Sequence, residues 1–422
     1  MSSAFASYDK LDPATLRGRG TAKWSFYDPD VLPLWVAEMD FPTAPVVRAA
    51  IQDAVDREEF GYPRRDEATG LPDAVAEWSA TRYSWPIDPS RIHLLPDVLK
   101  GVELAIDCYT SPGSPIVLPT PAYMPFFEVP KVVQRPILEV PMARDEGKLI
   151  FDLEAIDRAF ASGAESIIVC QPYNPLGRSF SGAELVALAH VVDRHGARVV
   201  ADEIHGSLTY SNRHVPYASV SEVAASHAIT LTSASKAWNL PGLKCAQAIV
   251  NNDSDEDRWQ QISRMRTHGA STIGIEANLA AYRSGADWLD HTVAYLDGNR
   301  RRLAELLAEH LPGVGYSVPE GTYLAWLDCN ALNLPQEPAE FFLARARVAT
   351  NPGLAFGSNG TGCLRLNFAT SSQILEQAVT AMGAAVRGSR RSGSAVDPAA
   401  VAELAPQGAP PQSVPSAWVG RS

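Results

Sequence analysis

The sequence predicts an α/β fold: a mostly parallel sheet in a large domain, helices on both faces of that sheet, and a smaller α+β domain. Three observations carry the prediction. Short, predominantly apolar segments recur through the middle of the chain, at 92–95, 116–118, 167–169 and 197–201. Amphipathic stretches of helical spacing separate them, as expected when a parallel sheet is buried on both sides. Past about residue 290 the pattern changes to one long helix followed by strands of alternating polarity at GTYLAWLDC and GCLRLNFA.

Composition narrows the class. A chain of 422 residues, 46% hydrophobic and 20% charged, can bury a sizeable core and more than one domain. A formal charge of −12 argues against a nucleic-acid surface, which needs a basic footprint. No apolar run is long enough to span a bilayer, and the N-terminus shows no basic region followed by an apolar one. The five cysteines are scattered without a CxxC and are expected as reduced, buried thiols, and the histidines form no metal-like cluster. A cytoplasmic enzyme is the expectation, with no nucleic-acid or membrane partner.

Residues 1–45, rich in proline and aromatics, read as an extended arm that packs Trp24, Trp35 and Phe41 against the body or a dimer seam. Within it, 32–37 is a strand that lines a pocket or simply joins the core. Pro45 permits a helix start, and Val46, Val47, Ala50, Ile51 and Val55 fall at helical spacing. A polar loop containing Phe60-Gly61-Tyr62 interrupts before the helix of LPDAVAEWSATRYSW. The strand at 92–95 meets Pro96-Asp97, and an apolar helix begins at Val98. The free N–H groups of Val98 and Leu99 can hold an anion there, although many such junctions bind nothing.

The strand at 116–118 leads to a proline-bounded turn and Tyr123, and VVQRPILEVPM reads as a strand pair around a proline. Helix, strand and the turn Asn174-Pro-Leu-Gly177 follow, then helix, strand and Asp202-Glu203. Another strand precedes Lys236, and one more follows it. In parallel α/β sheets ligands bind at the C-terminal strand ends. Asn174, Asp202 and Lys236 each follow a strand, which argues for one shared site. Arg365 is presented by an otherwise apolar strand and is either a structural ion pair or a carboxylate clamp. Residues 1–45 are expected as an arm and part of the small domain, 46–289 as the large domain, 290–387 as the small domain and 388–422 as a disordered tail.

A lysine, a strand-end carboxylate, an amide, an aromatic ring, an anion nest and an arginine together suit pyridoxal 5′-phosphate (PLP). Asn174-Pro-Leu-Gly177, Asp202-Glu-Ile-His205, Ser233-Ala-Ser-Lys236 with Lys244 beyond it, and Arg365-Leu-Asn stand in one order. In that order the chain resembles the class I/II aminotransferase superfamily of PLP enzymes over roughly residues 30–387. The implied fold is PLP-dependent transferase-like, the aspartate aminotransferase fold type I. The motifs LPLWVAEMDFP, FGYP, DEIHGSL and SASKAWNLPGLKCA make it most similar to the bacterial cystathionine β-lyase, or C–S lyase, branch.

The resemblance implies roles residue by residue. Lys236 is the Schiff-base lysine and proton shuttle, Asp202 the partner of the pyridine nitrogen, Asn174 the partner of the ring oxygen and Tyr123 the stacking ring. Val98, Leu99, Ser233 and Lys244 fall on the phosphate side, with His205 close to the cofactor. Arg365 takes the substrate carboxylate, and Ala37 lines the substrate side. Tyr62 reaches the phosphate and substrate of a neighbouring subunit, which implies a homodimer. The implied reaction is α,β-elimination of cystathionine or a related S-substituted cysteine, with transamination as the alternative. The sequence departs from commoner relatives at His205, where many have tyrosine, and at Lys244, where many have arginine. Asp97 and Lys100 stand in the phosphate turn, and Trp238 is expected to narrow the entrance.

Overall fold

The computed structural model describes residues 7–145 and 147–392. Seven strands make the large sheet: β1 (Ile92–Leu95), β2 (Ile116–Thr120), β3 (Ile137–Pro141), β4 (Ser166–Cys170), β5 (Arg198–Asp202), β6 (Ala228–Thr232) and β7 (Ala246–Val250). Their order across the sheet is β1-β7-β6-β5-β4-β2-β3. All neighbours run parallel except β7, which is antiparallel to both β1 and β6. β2 and β4 are buried at every position, as the unbroken apolar runs require.

Helices Val98–Tyr109, Leu153–Ala161 and Gly182–Arg194 share one apolar cluster with the strands. Helices Leu71–Tyr83 and Thr272–Ser284 belong to a second cluster, together with the arm and the small sheet. The helix starts are encoded locally. Asp97, Asp152 and Ser271 each accept a backbone N–H from the first turn, and Ser181 with Glu184 forms a capping box. Among the described residues no helix is long and apolar enough to cross a membrane.

A 25-residue helix, Ala286–His310, leads to the second sheet. Its strands are β8 (Gly315–Tyr316), β9 (Leu324–Asp328), β10 (Asn351–Pro352) and β11 (Cys363–Asn367), in the order β8-β9-β11-β10. β11 is central, so Arg365 stands opposite both Trp326 and Asn351.

Several expectations are corrected. VVQRPILEVPM is not a strand pair: Val129–Val132 is a short helix and only Ile137–Pro141 joins the sheet. Pro136 follows a left-handed Gln134, so the first half cannot continue as a ladder. The arm contains short helices at Pro13–Arg17 and Ala22–Ser25. The last helix, Ser372–Ser392, passes the expected boundary, so 388–392 are helical and 393–422 lie outside the described residues. The arm itself is anchored as expected, with the Trp24 indole donating to Asp40 Oδ1 at 2.7 Å and Phe41 stacked on Tyr8 at 4.3 Å.

One close approach fixes the loop that carries Lys244. Gly274 in helix Thr272–Ser284 lies so near this loop that a Cβ would sit 1.8 Å from the carbonyl oxygen of Leu243. Backbone must move to admit it. Gly274→Ala is therefore expected to destabilise the protein by about 3 kcal/mol, read as a lower urea midpoint at unchanged slope. An unaltered midpoint contradicts this packing.

Candidate active site

Three strand ends converge. Asp202 is the last residue of β5, paired across from Cys170 of β4 and Leu231 of β6. Asn174 lies in the turn after β4, and Lys236 in the short helix Ala234–Ala237 after β6. Ser233 caps that helix: its hydroxyl accepts from Ser235 N at 3.0 Å and donates to the Cys245 carbonyl at 2.6 Å.

The electrostatics follow from burial. Lys236 is enclosed, and burial, with Arg365 adding to it, pulls its ammonium down to about 8. Its Nζ donates to the carbonyl of Ala37 at 2.9 Å. Burial also pushes the Asp202 carboxyl up to about 7, against the backbone N–H of Ile204 and the charge of Lys236, which both favour the anion. Among the described residues Ile204 N is the one donor to Asp202, and it binds Oδ1, so Oδ2 is left for a cationic N–H. His205 is 2% exposed, its Nδ1 has no hydrogen-bond partner among the described residues, and burial holds it neutral.

Arg365 ties the site to the small sheet. It is fully buried, donates to Asn174 Oδ1 at 3.1 Å, to Trp35 O at 3.0 Å and to Asn351 Oδ1 at 2.7 Å, and lies over the Phe356 ring. Burial brings it down to about 10. The bond fixes the Asn174 amide so that its Nδ2, which has no acceptor among the described residues, is left to donate. Tyr123 lies within electrostatic reach of Arg365, Asp202 and Asp97, and burial raises its hydroxyl to about 12.

The expected phosphate side lies at the start of helix Val98–Tyr109. Asp97 Oδ1 caps Lys100 N, which leaves the N–H groups of Val98 and Leu99 without intrahelical partners. Lys244 Nζ meets Asp97 Oδ2 at 2.8 Å at the same end. Lys100 instead pairs with Glu103 at 2.7 Å.

This donor set fits PLP. A carboxylate with one oxygen unengaged, a free amide donor, two unengaged helix N–H groups and a buried amine match a pyridinium, a ring oxygen, a phosphate and an aldehyde in turn. The residues from 29 to 382 match the family model for aminotransferase class I and II. The chain belongs to that family. It is 42% identical over 364 residues to a cystathionine β-lyase of Corynebacterium glutamicum, covering 86% of this chain and 95% of that one. The crystal structure of a candidate PLP-dependent β-cystathionase from Corynebacterium diphtheriae superposes with a TM-score of 0.86 at 44% identity, covering 89% of this chain and 98% of that chain. Cystalysin from Treponema denticola, which contains PLP, gives 0.84 at 26% identity, over 90% and 99% of the two chains.

The Tyr62 ring is fully exposed in the single chain. One expected residue stands elsewhere. Trp238 does not narrow an entrance: it is fully buried, donates to Gly285 O at 3.0 Å and packs on Trp78 and Tyr282. An indole with an N–H partner is well suited to a core, and nothing in its sequence context separates the two placements. Sequence reasoning missed Tyr323, whose hydroxyl donates to the Ala37 carbonyl at 2.9 Å, and Asn351, which orients Arg365. Neither carries a motif, because both act through partners far away in sequence.

Proposed function

We propose that this protein is a PLP-dependent carbon–sulfur β-lyase that converts L-cystathionine or related S-substituted cysteines to a thiol, pyruvate and ammonia. The carrying observation is the single buried constellation of Lys236, Asp202, Asn174 and Arg365, in a chain so close to a cystathionine β-lyase. When bound, PLP supplies an electron-withdrawing ring that stabilises negative charge at the substrate Cα, so that a thiolate can leave from Cβ.

The chain's own residues do the rest. Lys236 would hold the cofactor, and its free amine would take the substrate Cα proton, a task helped by a value lowered to about 8. Asp202 would keep a proton on the ring nitrogen, whose positive charge would stabilise the carboxylate that burial alone disfavours. Asn174 would donate to the ring oxygen, with Tyr123 flanking the ring and neutral His205 beside it. Val98, Leu99, Ser233 and Lys244 would take the phosphate. Arg365 grips the substrate α-carboxylate in two-pronged fashion, with Ala37 on the wall beside it. Residues 46–289 are the PLP-binding domain and 290–387 the small domain, with 1–45 as an arm. A cytoplasmic location agrees with five free cysteines.

The test is release of thiol and pyruvate from L-cystathionine with no 2-oxo acid present. Turnover that requires a 2-oxo acid and frees no thiol makes the protein an aminotransferase instead.

A homodimer is part of the reading, with Tyr62 contributed to the neighbouring site. Its support is a fully exposed Tyr62 ring beside a Phe60 that is also exposed. Sedimentation is expected to give twice the chain mass of 45.5 kDa. Tyr62→Ala is expected to weaken PLP retention by roughly tenfold, the worth of one good phosphate contact. A fully active monomer contradicts it.

A further inference from the structure

We infer that Tyr323 is a positioning residue for Lys236, acting through the carbonyl oxygen of Ala37 that both side chains share. Lys236 Nζ and the Tyr323 hydroxyl each donate to Ala37 O at 2.9 Å. A carbonyl oxygen has two lone pairs, so the two donors fill it and fix its direction. Tyr323 is fully buried and meets His205 edge-on at 5.9 Å, which places it in the wall of the site. Its backbone is held firmly, with Phe368 N donating to its carbonyl at 3.0 Å. The preceding Thr322 adopts φ 64°, a left-handed conformation that β-branched residues avoid. Thr322 is in turn pinned by its N–H to Leu208 O at 2.7 Å. Strain of this kind persists only where the surroundings overdetermine it. Here it aims the tyrosine.

The consequence is electrostatic as well as steric. The charged and titratable groups facing Lys236 are Arg365 on β11, Asp202 at the end of β5, Glu38 on the arm and His205 on the turn after β5. None of these bonds to the lysine; Ala37 O does. While Tyr323 occupies part of that oxygen, the carbonyl offers less to an ammonium. Removing the hydroxyl strengthens the remaining bond to the protonated lysine, so its titration moves up and less neutral amine is present near neutrality. The competing role for Tyr323 is to fasten the arm at Ala37 onto the small sheet, with no effect on the lysine.

The inference rests on Lys236 as the PLP-binding amine, and the experiment separates the two claims. Full-length protein stripped of cofactor is mixed with PLP over a pH series, and the rate of appearance of visible absorbance is followed. The wild type is expected to speed up through about pH 8. In Tyr323→Phe the midpoint is expected to rise by roughly half a unit, so uptake near neutrality slows about threefold. In steady state kcat falls while KM stays. Tyr217→Phe, which removes a buried hydroxyl bonded to His227, is the control and is expected to behave as wild type. Replacing Tyr323 with 3-fluorotyrosine keeps the fold and strengthens the donor, so its midpoint is expected to move down. Wild-type midpoints in both Tyr323 variants overturn the inference, as does a raised KM at unchanged kcat. No uptake by the wild type overturns the functional reading itself.

Discussion

Lys236→Ala abolishes turnover and the visible absorbance of the cofactor-bound protein. The expected loss in kcat is about 10⁴-fold or more, because in the proposed mechanism one side chain serves as covalent anchor and as proton acceptor. No other lysine can substitute. Lys244 meets Asp97 on the phosphate side, and Lys23 is buried in an ion pair with Asp40 at 2.9 Å. The fold itself should survive, since the lysine's one hydrogen bond ends on a carbonyl that keeps a second donor. Measurable are the kcat with L-cystathionine, the absorbance and the melting temperature. Activity within tenfold of wild type removes Lys236 from the chemistry.

Asp202→Asn has opposite effects on catalysis and stability. Activity is expected to fall by about 10²–10³, the cost of losing one preorganised charge in an enclosed site. The cofactor-free protein, in contrast, becomes more stable at pH 8. Burial raises the Asp202 carboxyl to about 7 in the folded protein, against roughly 3.9 unfolded. Between those values the folded state binds more protons than the unfolded one, so stability falls as pH rises through that window. An asparagine carries no such penalty. The gain is on the order of 1–4 kcal/mol at pH 8 and fades by about pH 4. Paired urea titrations at the two pH values measure it. A variant less stable than wild type at pH 8 without cofactor means that Asp202 has a cation partner in the protein itself.

The opposing signs explain how much could be read in advance. Asp202, Asn174 and Lys236 were legible because a parallel sheet places whatever follows its strands at one edge, and each stands at or just after a strand end. The caps at Asp97 and Ser181 were similarly local. Arg365 stands out on its strand, but only the resemblance gives it a role, since its partners Asn174, Trp35 and Asn351 come from three distant segments. The helix at Val129–Val132 is hidden in the sequence for a related reason. Val132-Val133 has strand propensity, and only the turn at Gln134 and the neighbours decide otherwise. Tyr323 and the true burial of Trp238 were invisible, because one shared carbonyl and one close-packed aromatic cluster leave no spacing signal.

The most direct measurement reduces the PLP-loaded protein with borohydride, digests it and locates the cofactor by mass spectrometry. A single pyridoxyl adduct is expected on the peptide carrying Lys236, at close to one per chain, and none in Lys236→Ala. An adduct on Lys244 or any other lysine, or no adduct at all, contradicts it.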